Sequence, residues 1–175
     1  MKKDKELYQE FLNGNMDALD ELIEIYISEL IYFIYKYIND YYAAQDLAQE
    51  VFVYLLQHKE TYKFEYSFRA YLYKIANSRS LNYIKARKKI VFIEDTSDES
   101  IGKIADIESE VIRNVDNENL RNAVKKLKKE YQLVIYLVDF KELSYEETAI
   151  IMNKSIAQIK TLIYNARKRL KQILT

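Results

Sequence analysis

The fold of the C-terminal third follows from residues 143–175, which read LSYEETAIIMNKSIAQIKTLIYNARKRLKQILT. Ser144 followed by Glu147 is a capping box, in which the serine oxygen caps a backbone amide and the glutamate reaches back to the cap. Ser155 and Gln158 repeat the pattern eleven residues later. Two capping boxes at this distance predict two consecutive helices, the first through Met152.

A short turn joins the two helices at Asn153-Lys154, because asparagine tolerates the left-handed conformation that glycine would otherwise supply. The pair is typical of a helix-turn-helix, whose second helix enters the major groove of DNA by its N-terminal end. We expect that helix to run to about Leu174. Its predicted inward positions are Ile159, Leu162, Ile163, Ala166, Leu170 and Ile173, and its predicted outward positions are Gln158, Lys160, Thr161, Tyr164, Lys168 and Lys171.

The net charge of zero conceals a segregated pattern. Residues 1–65 carry a net charge of −7 and residues 66–93 a net charge of +7, without an acidic residue in the second stretch. Residues 94–120 carry −7 and residues 121–175 carry +7, and no acid follows Glu147. Two basic segments with an acidic spacer favour two contacts with a polyanion over ordinary solvated helix faces. A plain helical hairpin is the alternative for the C-terminal segment.

The N-terminal half has apolar residues at three- and four-residue steps, which predicts amphipathic helices. One helix begins at Asp17, and Asn39-Asp40 stops it and caps a second helix over about 44–56. A third runs from about Ser67 to Lys88. The acidic stretch is a linker. We therefore predict an all-α protein of two small helical domains, residues 1–92 and 120–175, joined by an acidic linker over 93–119.

Composition excludes several classes of function. There is no cysteine and one histidine, so thiolate chemistry and multi-histidine metal sites are excluded. Gly14 and Gly102 are the two glycines, too few for a Rossmann fingerprint or a P-loop. A hydrolase or transferase has little support, since His58 lacks an evident catalytic partner. No signal peptide or membrane span is evident, so we expect a cytoplasmic protein without membrane insertion.

Three motifs resemble those of a known family. Residues 44–52, AQDLAQEVF, resemble the A-E-D-L-x-Q-E-x-F signature of region 2 of bacterial sigma factors, especially the extracytoplasmic-function (ECF) group. Residues 68–76, FRAYLYKIA, are similar to its F-x-x-W-L-Y-x-I-A motif. Residues 143–149 and 159–170 are similar to the L-S-x-E-E-I-A and V-K-S-x-x-x-R-A-R-x-x-L motifs of region 4. The resemblance implies a sigma factor that binds core RNA polymerase, recognises and melts promoters, and catalyses no reaction itself.

The resemblance implies a role for each segment. The region 2 helix docks on the clamp helices of the polymerase β′ subunit, through Asp46, Gln49, Glu50 and Phe52. Acidic and amide groups beside an exposed aromatic suit a basic, partly apolar surface. The alternative is a helix that simply fills the core, and we prefer it for Leu47 and Val51.

The loop from Thr61 to Ser67 corresponds to the segment that captures an unstacked promoter base. Tyr62, Phe64 and Tyr66 would stack on the base while Lys63 holds phosphate, unless the aromatics are anchors that fold onto the bundle. The remaining predicted contacts with the minus-ten element are Tyr71, Lys74, Arg79, Asn82, Lys85, Arg87, Lys88 and Lys89. The predicted contacts with the minus-35 element are Ser155, Gln158, Lys160, Thr161, Tyr164, Arg167 and Lys168.

Further partners implied by the resemblance are the polymerase β flap and an anti-sigma protein, with no metal or cofactor. The alternative function is a DNA-binding regulator that uses the C-terminal helix-turn-helix alone. Its N-terminal helices would serve dimerisation or ligand sensing, and it would not associate with polymerase.

Overall fold

The computed structural model describes residues 2–90 and 118–175, apart from the side chains of Lys2 and residues 88–90. Within these residues the regular structure is helical and contains no strand, which confirms the prediction of an all-α protein. The chain divides into two compact units, one in each described range. The predicted linker over 93–119 lies outside the described residues except at its last two positions.

Among its described residues the N-terminal unit has four α-helices, α1 (Lys2–Leu12), α2 (Met16–Ile38), α3 (Tyr41–Gln57) and α4 (Phe68–Ile90), and a 3-10 turn at Lys59–Thr61. Asn15 caps α2 through its side chain, which accepts a hydrogen bond from the amide of Asp17. Asn39 ends α2 in the left-handed conformation, with φ of 53°, and the Asp40 side chain accepts from the Ala43 amide at 3.1 Å. The predicted stop and cap at Asn39-Asp40 are therefore confirmed.

The core of this unit lies where α2 packs against α1, α3 and α4. Leu22 and Ile34 of α2, Leu55 of α3 and Leu72 of α4 are inaccessible to solvent. The helix α1 was not predicted from the sequence. Its apolar residues are few, and it is ordered by packing: an isolated helix of 11 residues is marginal in water.

The C-terminal unit contains α5 (Glu118–Lys125), α6 (Lys129–Ile135), α7 (Tyr145–Met152) and α8 (Ile156–Leu174). A π-helical turn, Tyr136–Phe140, extends α6. The two capping boxes are present at α7 and α8, and Asn153 has the left-handed φ of 52° expected at the turn. The hydrophobic core is formed by Leu127, Val134, Ile135, Ala149, Ile159, Ile163 and Ala166.

The inward face predicted for α8 is confirmed. Ile159, Ile163 and Ala166 are buried, and the partly buried Leu162, Leu170 and Ile173 pack against the same cluster. In the part of the chain that the structure describes, no helix is both long enough and apolar enough to cross a membrane.

Candidate nucleic-acid interface and docking face

The first two turns of α8 form a polar surface that solvent reaches. Ser155 Oγ accepts a hydrogen bond from the Gln158 amide at 3.2 Å, and Gln158 Oε1 accepts from the Ser155 amide at 2.8 Å. The cap uses the Gln158 carbonyl oxygen, so its amide nitrogen remains as a donor toward a base edge or phosphate. All seven residues predicted for the minus-35 element are exposed: Ser155, Gln158, Lys160, Thr161, Tyr164, Arg167 and Lys168.

Within this surface, Tyr164 is 66% exposed and Arg167 is paired. The Arg167 guanidinium contacts both carboxylate oxygens of Asp139, and its Nε donates at 3.3 Å. Hydrogen bonding to Asp139 raises the pKa of Arg167 above its usual value. Lys160 and Lys168 are exposed, and neither forms an ion pair within the described residues. Arg167 has to share or leave Asp139 to reach a phosphate.

The basic helix α4 presents Lys74, Asn82, Lys85 and Arg87 to solvent, and Arg79 is half-buried. Two of its arginines pair with acids of α3 and of its cap: Arg79 with Glu50 at 2.8 Å, and Arg87 with Asp40 at 3.3 Å. Exposed pairs of this kind contribute roughly 0–1 kcal/mol, so phosphate can compete for the arginines. The side chains predicted at Lys88 and Lys89 lie outside the described residues.

The loop between α3 and α4 (residues 58–67, the α3–α4 loop) is built on aromatic packing. The Tyr62 ring is 3% exposed, lies 5.3 Å from the Tyr8 ring and stacks at 4.9 Å on the Tyr71 ring. The Tyr62 hydroxyl donates to the Tyr66 carbonyl at 2.6 Å, and the Tyr71 hydroxyl is hydrogen-bonded to Thr61. Tyr62 is thus an anchor that folds the loop onto the helical bundle.

Burial corrects two of the predicted base contacts. Tyr62 and Tyr71 (5% exposed) stack on each other, so neither ring has a face open to a base in this structure. Lys63 is exposed, and Phe64 and Tyr66 are half-buried. The loop therefore offers the exposed Lys63 ammonium and the accessible parts of two rings.

The exposed face of α3 carries Asp46, Gln49 and Glu50, as predicted for the docking site. Phe52 is a correction: it is 4% exposed, because its side of α3 packs against α2 and α4. Apolar surface is supplied instead by Tyr42, Val53 and Leu56, which are 57%, 48% and 39% exposed. These residues and the polar ones follow the three- and four-residue steps of one helix face, a spacing that would have identified Val53 from the sequence.

His58 lies at the end of α3, where its ring stacks on Tyr54 with 4.3 Å between centroids. No group of three or more acidic or histidine side chains within the described ranges is arranged to hold a metal ion.

Two family models match the chain, each within one structural unit. Residues 22–90 match the model of sigma-70 region 2, and residues 117–170 match the model of sigma-70 region 4. The RNA polymerase sigma factor YlaC of Bacillus subtilis is 32% identical over 161 residues, with 91% of this chain and 93% of that protein covered. The ECF RNA polymerase sigma factor SigM of the same organism is 29% identical, with 89% and 94% covered.

Solved structures with a similar fold include the sigma factor RpoE of Bartonella quintana, crystallised with the anti-sigma factor NepR. It has a TM-score of 0.65 at 20% identity, with 89% of this chain and 95% of that chain covered. CnrH in complex with the cytosolic domain of CnrY has a TM-score of 0.67 at 19% identity, with 98% and 97% covered. These similarities extend over nearly the full length of each protein compared.

Proposed function

The chain belongs to the extracytoplasmic-function group of the sigma-70 family of RNA polymerase sigma factors, and from this premise we propose which residues perform each step of initiation. The observation that supports the proposal most is the coincidence of each family match with one structural unit. Each unit also presents a basic helix without acidic residues, α4 in the first unit and α8 in the second. We assign the minus-ten element to the first unit and the minus-35 element to the second.

The N-terminal turns of α8 read the minus-35 element in the major groove. Gln158 and Lys160 lie in the first turns of the helix and donate hydrogen bonds to base edges, while Ser155 and Lys168 contact phosphates. The positive end of the helix dipole adds to the attraction for the DNA backbone. Because Gln158 Oε1 is held by the cap, Gln158 acts through its amide nitrogen as a donor.

The exposed face of α3 docks on the β′ clamp helices of core RNA polymerase. Asp46, Gln49 and Glu50 supply charge and hydrogen bonds, and Val53 supplies the apolar contact that Phe52 cannot make from the core. Exposed aromatic and aliphatic side chains beside polar groups are typical of protein interfaces. The second unit contacts the β flap.

The α3–α4 loop and α4 act on the minus-ten element. Lys63 holds a phosphate while the accessible parts of Phe64 and Tyr66 receive an unstacked base. Lys74, Asn82, Lys85 and Arg87 line the exposed side of α4 and hold the backbone of the melted region. Melting is driven by capture of exposed bases, so the polymerase forms the bonds and this chain acts as a non-catalytic subunit.

An anti-sigma protein that covers these surfaces is a further proposed partner, by analogy with the complexes of RpoE and CnrH. The proposed location is the cytoplasm, where core polymerase and promoter DNA are available. The net charge of zero indicates that this protein binds DNA weakly on its own and needs polymerase to bind promoters. Neutralisation of phosphates by basic residues supplies most non-specific affinity for DNA.

The alternative function, a regulator using only the helix-turn-helix, is not supported. In that alternative the N-terminal helices would serve dimerisation or sensing, whereas residues 22–90 match sigma-70 region 2. Both units of the chain, and not its C-terminal unit alone, therefore match sigma factors.

Transcription with purified core RNA polymerase on a library of promoter fragments, with and without this protein, tests the proposal. New start sites that share an upstream element are expected. Lys160→Ala should then weaken or shift the preference at minus-35, whereas Lys129→Ala, an exposed lysine on α6, is the matched control. Absence of new start sites, with DNA bound by the second unit, would contradict the assignment.

A further inference from the structure

The helix α1 lies outside the region 2 match, which begins at residue 22, yet it is anchored in the first unit. Tyr8 and Phe11 are inaccessible to solvent and Leu7 is 7% exposed. The Tyr8 ring contacts the Tyr62 ring in the α3–α4 loop and the Phe68 ring at the start of α4, with centroids at 5.3 Å and 5.1 Å. The buried face of α1 therefore packs against the loop.

Two polar contacts tie α1 to the backbone of the same loop. The Tyr8 hydroxyl donates to the Lys59 carbonyl at 3.0 Å, and Lys5 Nζ donates to the Phe64 carbonyl at 3.2 Å. The ammonium of Lys59 also lies over the Phe11 ring at 4.8 Å. These contacts reach the loop before and after the exposed Lys63.

The loop needs this support because its backbone is strained. Phe64 has φ of 58°, a left-handed conformation that is unfavourable for an aromatic residue and persists only where the surroundings enforce it. Lys5 contacts the carbonyl of that residue, and the Phe64 ring lies 4.6 Å from the Tyr62 ring and 6.1 Å from the Tyr8 ring. Without α1, the strained turn would lose contacts on its backbone and on its side chain.

We propose that α1 holds the α3–α4 loop in the shape that receives the unpaired minus-ten base, with Tyr8 and Lys5 as positioning residues. The inference rests on the proposed role of the loop in the minus-ten contact. Tyr8 and Lys5 touch no DNA: they fix the backbone from which Lys63, Phe64 and Tyr66 are presented. Preorganisation of a binding loop lowers the conformational entropy lost when the ligand binds.

The test measures the affinity of reconstituted holoenzyme for a fork-junction DNA with an unpaired minus-ten strand, built from a promoter recovered in the library experiment. Tyr8→Phe removes one hydroxyl, and Lys5→Met removes the ammonium while it keeps an unbranched side chain. Loss of one such hydrogen bond corresponds to roughly three- to tenfold weaker binding. Lys5→Arg, which retains a donor, should restore most of the affinity.

Lys3→Met is the matched control, because Lys3 is also a cation of α1 but pairs with Glu21 of α2 at 2.7 Å rather than with the loop. It should bind the fork-junction DNA as the unmodified protein does. All variants should keep the affinity for core polymerase, since the docking face of α3 is untouched. Equal weakening by Lys3→Met and Lys5→Met would overturn the inference, because charge alone would then explain the loss.

Lys63→Ala distinguishes the proposed role of α1 from the proposed role of the α3–α4 loop. If it weakens fork-junction binding while Tyr8→Phe and Lys5→Met do not, the role of α1 is wrong and the role of the loop stands. If all three variants bind like the unmodified protein, the role of the loop in the minus-ten contact fails as well.

Discussion

Replacing Ser155 by alanine removes the oxygen that caps α8 and one proposed donor to the promoter backbone. Ser144 provides a matched comparison, because it caps α7 in the same way. Ser144 Oγ accepts from the Glu147 amide at 3.0 Å, and Ser155 Oγ accepts from the Gln158 amide at 3.2 Å. Loss of a serine N-cap costs about 1 kcal/mol, so the two variants should lose similar free energies of unfolding.

For a unit of this size, a loss of about 1 kcal/mol lowers the melting temperature by roughly 4–8 °C. Circular dichroism during heating of the full chain measures this shift in the transition of the second unit. A loss of this size should leave the unit folded at 25 °C, where binding to DNA is measured.

Binding to DNA should separate the two variants. The Ser155 hydroxyl hydrogen is not used by the cap and can donate to a phosphate oxygen, a contact worth roughly three- to tenfold in affinity. Ser144 lies at the start of the preceding helix and has no proposed DNA contact. Fluorescence anisotropy of holoenzyme on a labelled promoter duplex at fixed salt should show weaker binding for Ser155→Ala alone.

Two results would refute this reasoning. Equal losses of promoter affinity in both variants would mean that destabilisation, and not a lost contact, weakens binding. Unchanged melting temperatures in both would mean that the capping boxes contribute nothing to the stability of the unit.

Three further perturbations concern the core, the docking face and alkaline pH. Ile163→Ala, at a site 2% exposed in the core of the second unit, should cost about 2–5 kcal/mol and lower the melting transition of that unit alone in calorimetry. Glu50→Gln should weaken binding to core polymerase in a competition assay, while Glu24→Gln on exposed α2 surface should not; unchanged affinity for both would exclude Glu50 from the interface. Burial raises the pKa of Tyr26 above its ordinary value of 10.0, with a hydrogen bond to Asp4 as the second cause. Because the pKa of Tyr26 is higher in the folded state than in the unfolded state, its contribution to stability is complete below pH 10 and is lost as the pH rises further. Melting temperatures should therefore fall above pH 10, and they should fall less in Tyr26→Phe.

One buried hydroxyl gives a prediction of the opposite sign. Tyr37 Oη is buried without a hydrogen-bond partner among the described residues, and burial raises the pKa of Tyr37. Removing an unsatisfied buried group relieves a desolvation cost of about 1–3 kcal/mol. Tyr37→Phe should therefore raise the melting temperature of the first unit, and a lower melting temperature would show that the hydroxyl is satisfied in solution.

Features that depend on local interactions could be predicted from the sequence alone. Capping boxes and left-handed asparagines act over three or four residues, so the ends of α7 and α8 and the turn at Asn39-Asp40 were predicted correctly. The periodicity of α8 also identified its buried face. In contrast, α1, α5 and α6 escaped prediction: they are short, and α6 has no side-chain cap at Lys128. Such helices are stabilised by the surfaces on which they pack.

Which side chains of a helix face solvent depends on how the helices pack against each other. Phe52 and Val53 are neighbours in sequence, yet successive residues of a helix point about 100° apart, so packing of α3 against α2 and α4 buries the first and exposes the second. Tyr62 was predicted to meet a base, but rings from α1 and α4 enclose it. The pairs of Arg79 with Glu50 and of Arg167 with Asp139 join residues 29 and 28 positions apart. Contacts at that separation depend on how helices pack, and no local pattern in the sequence encodes them.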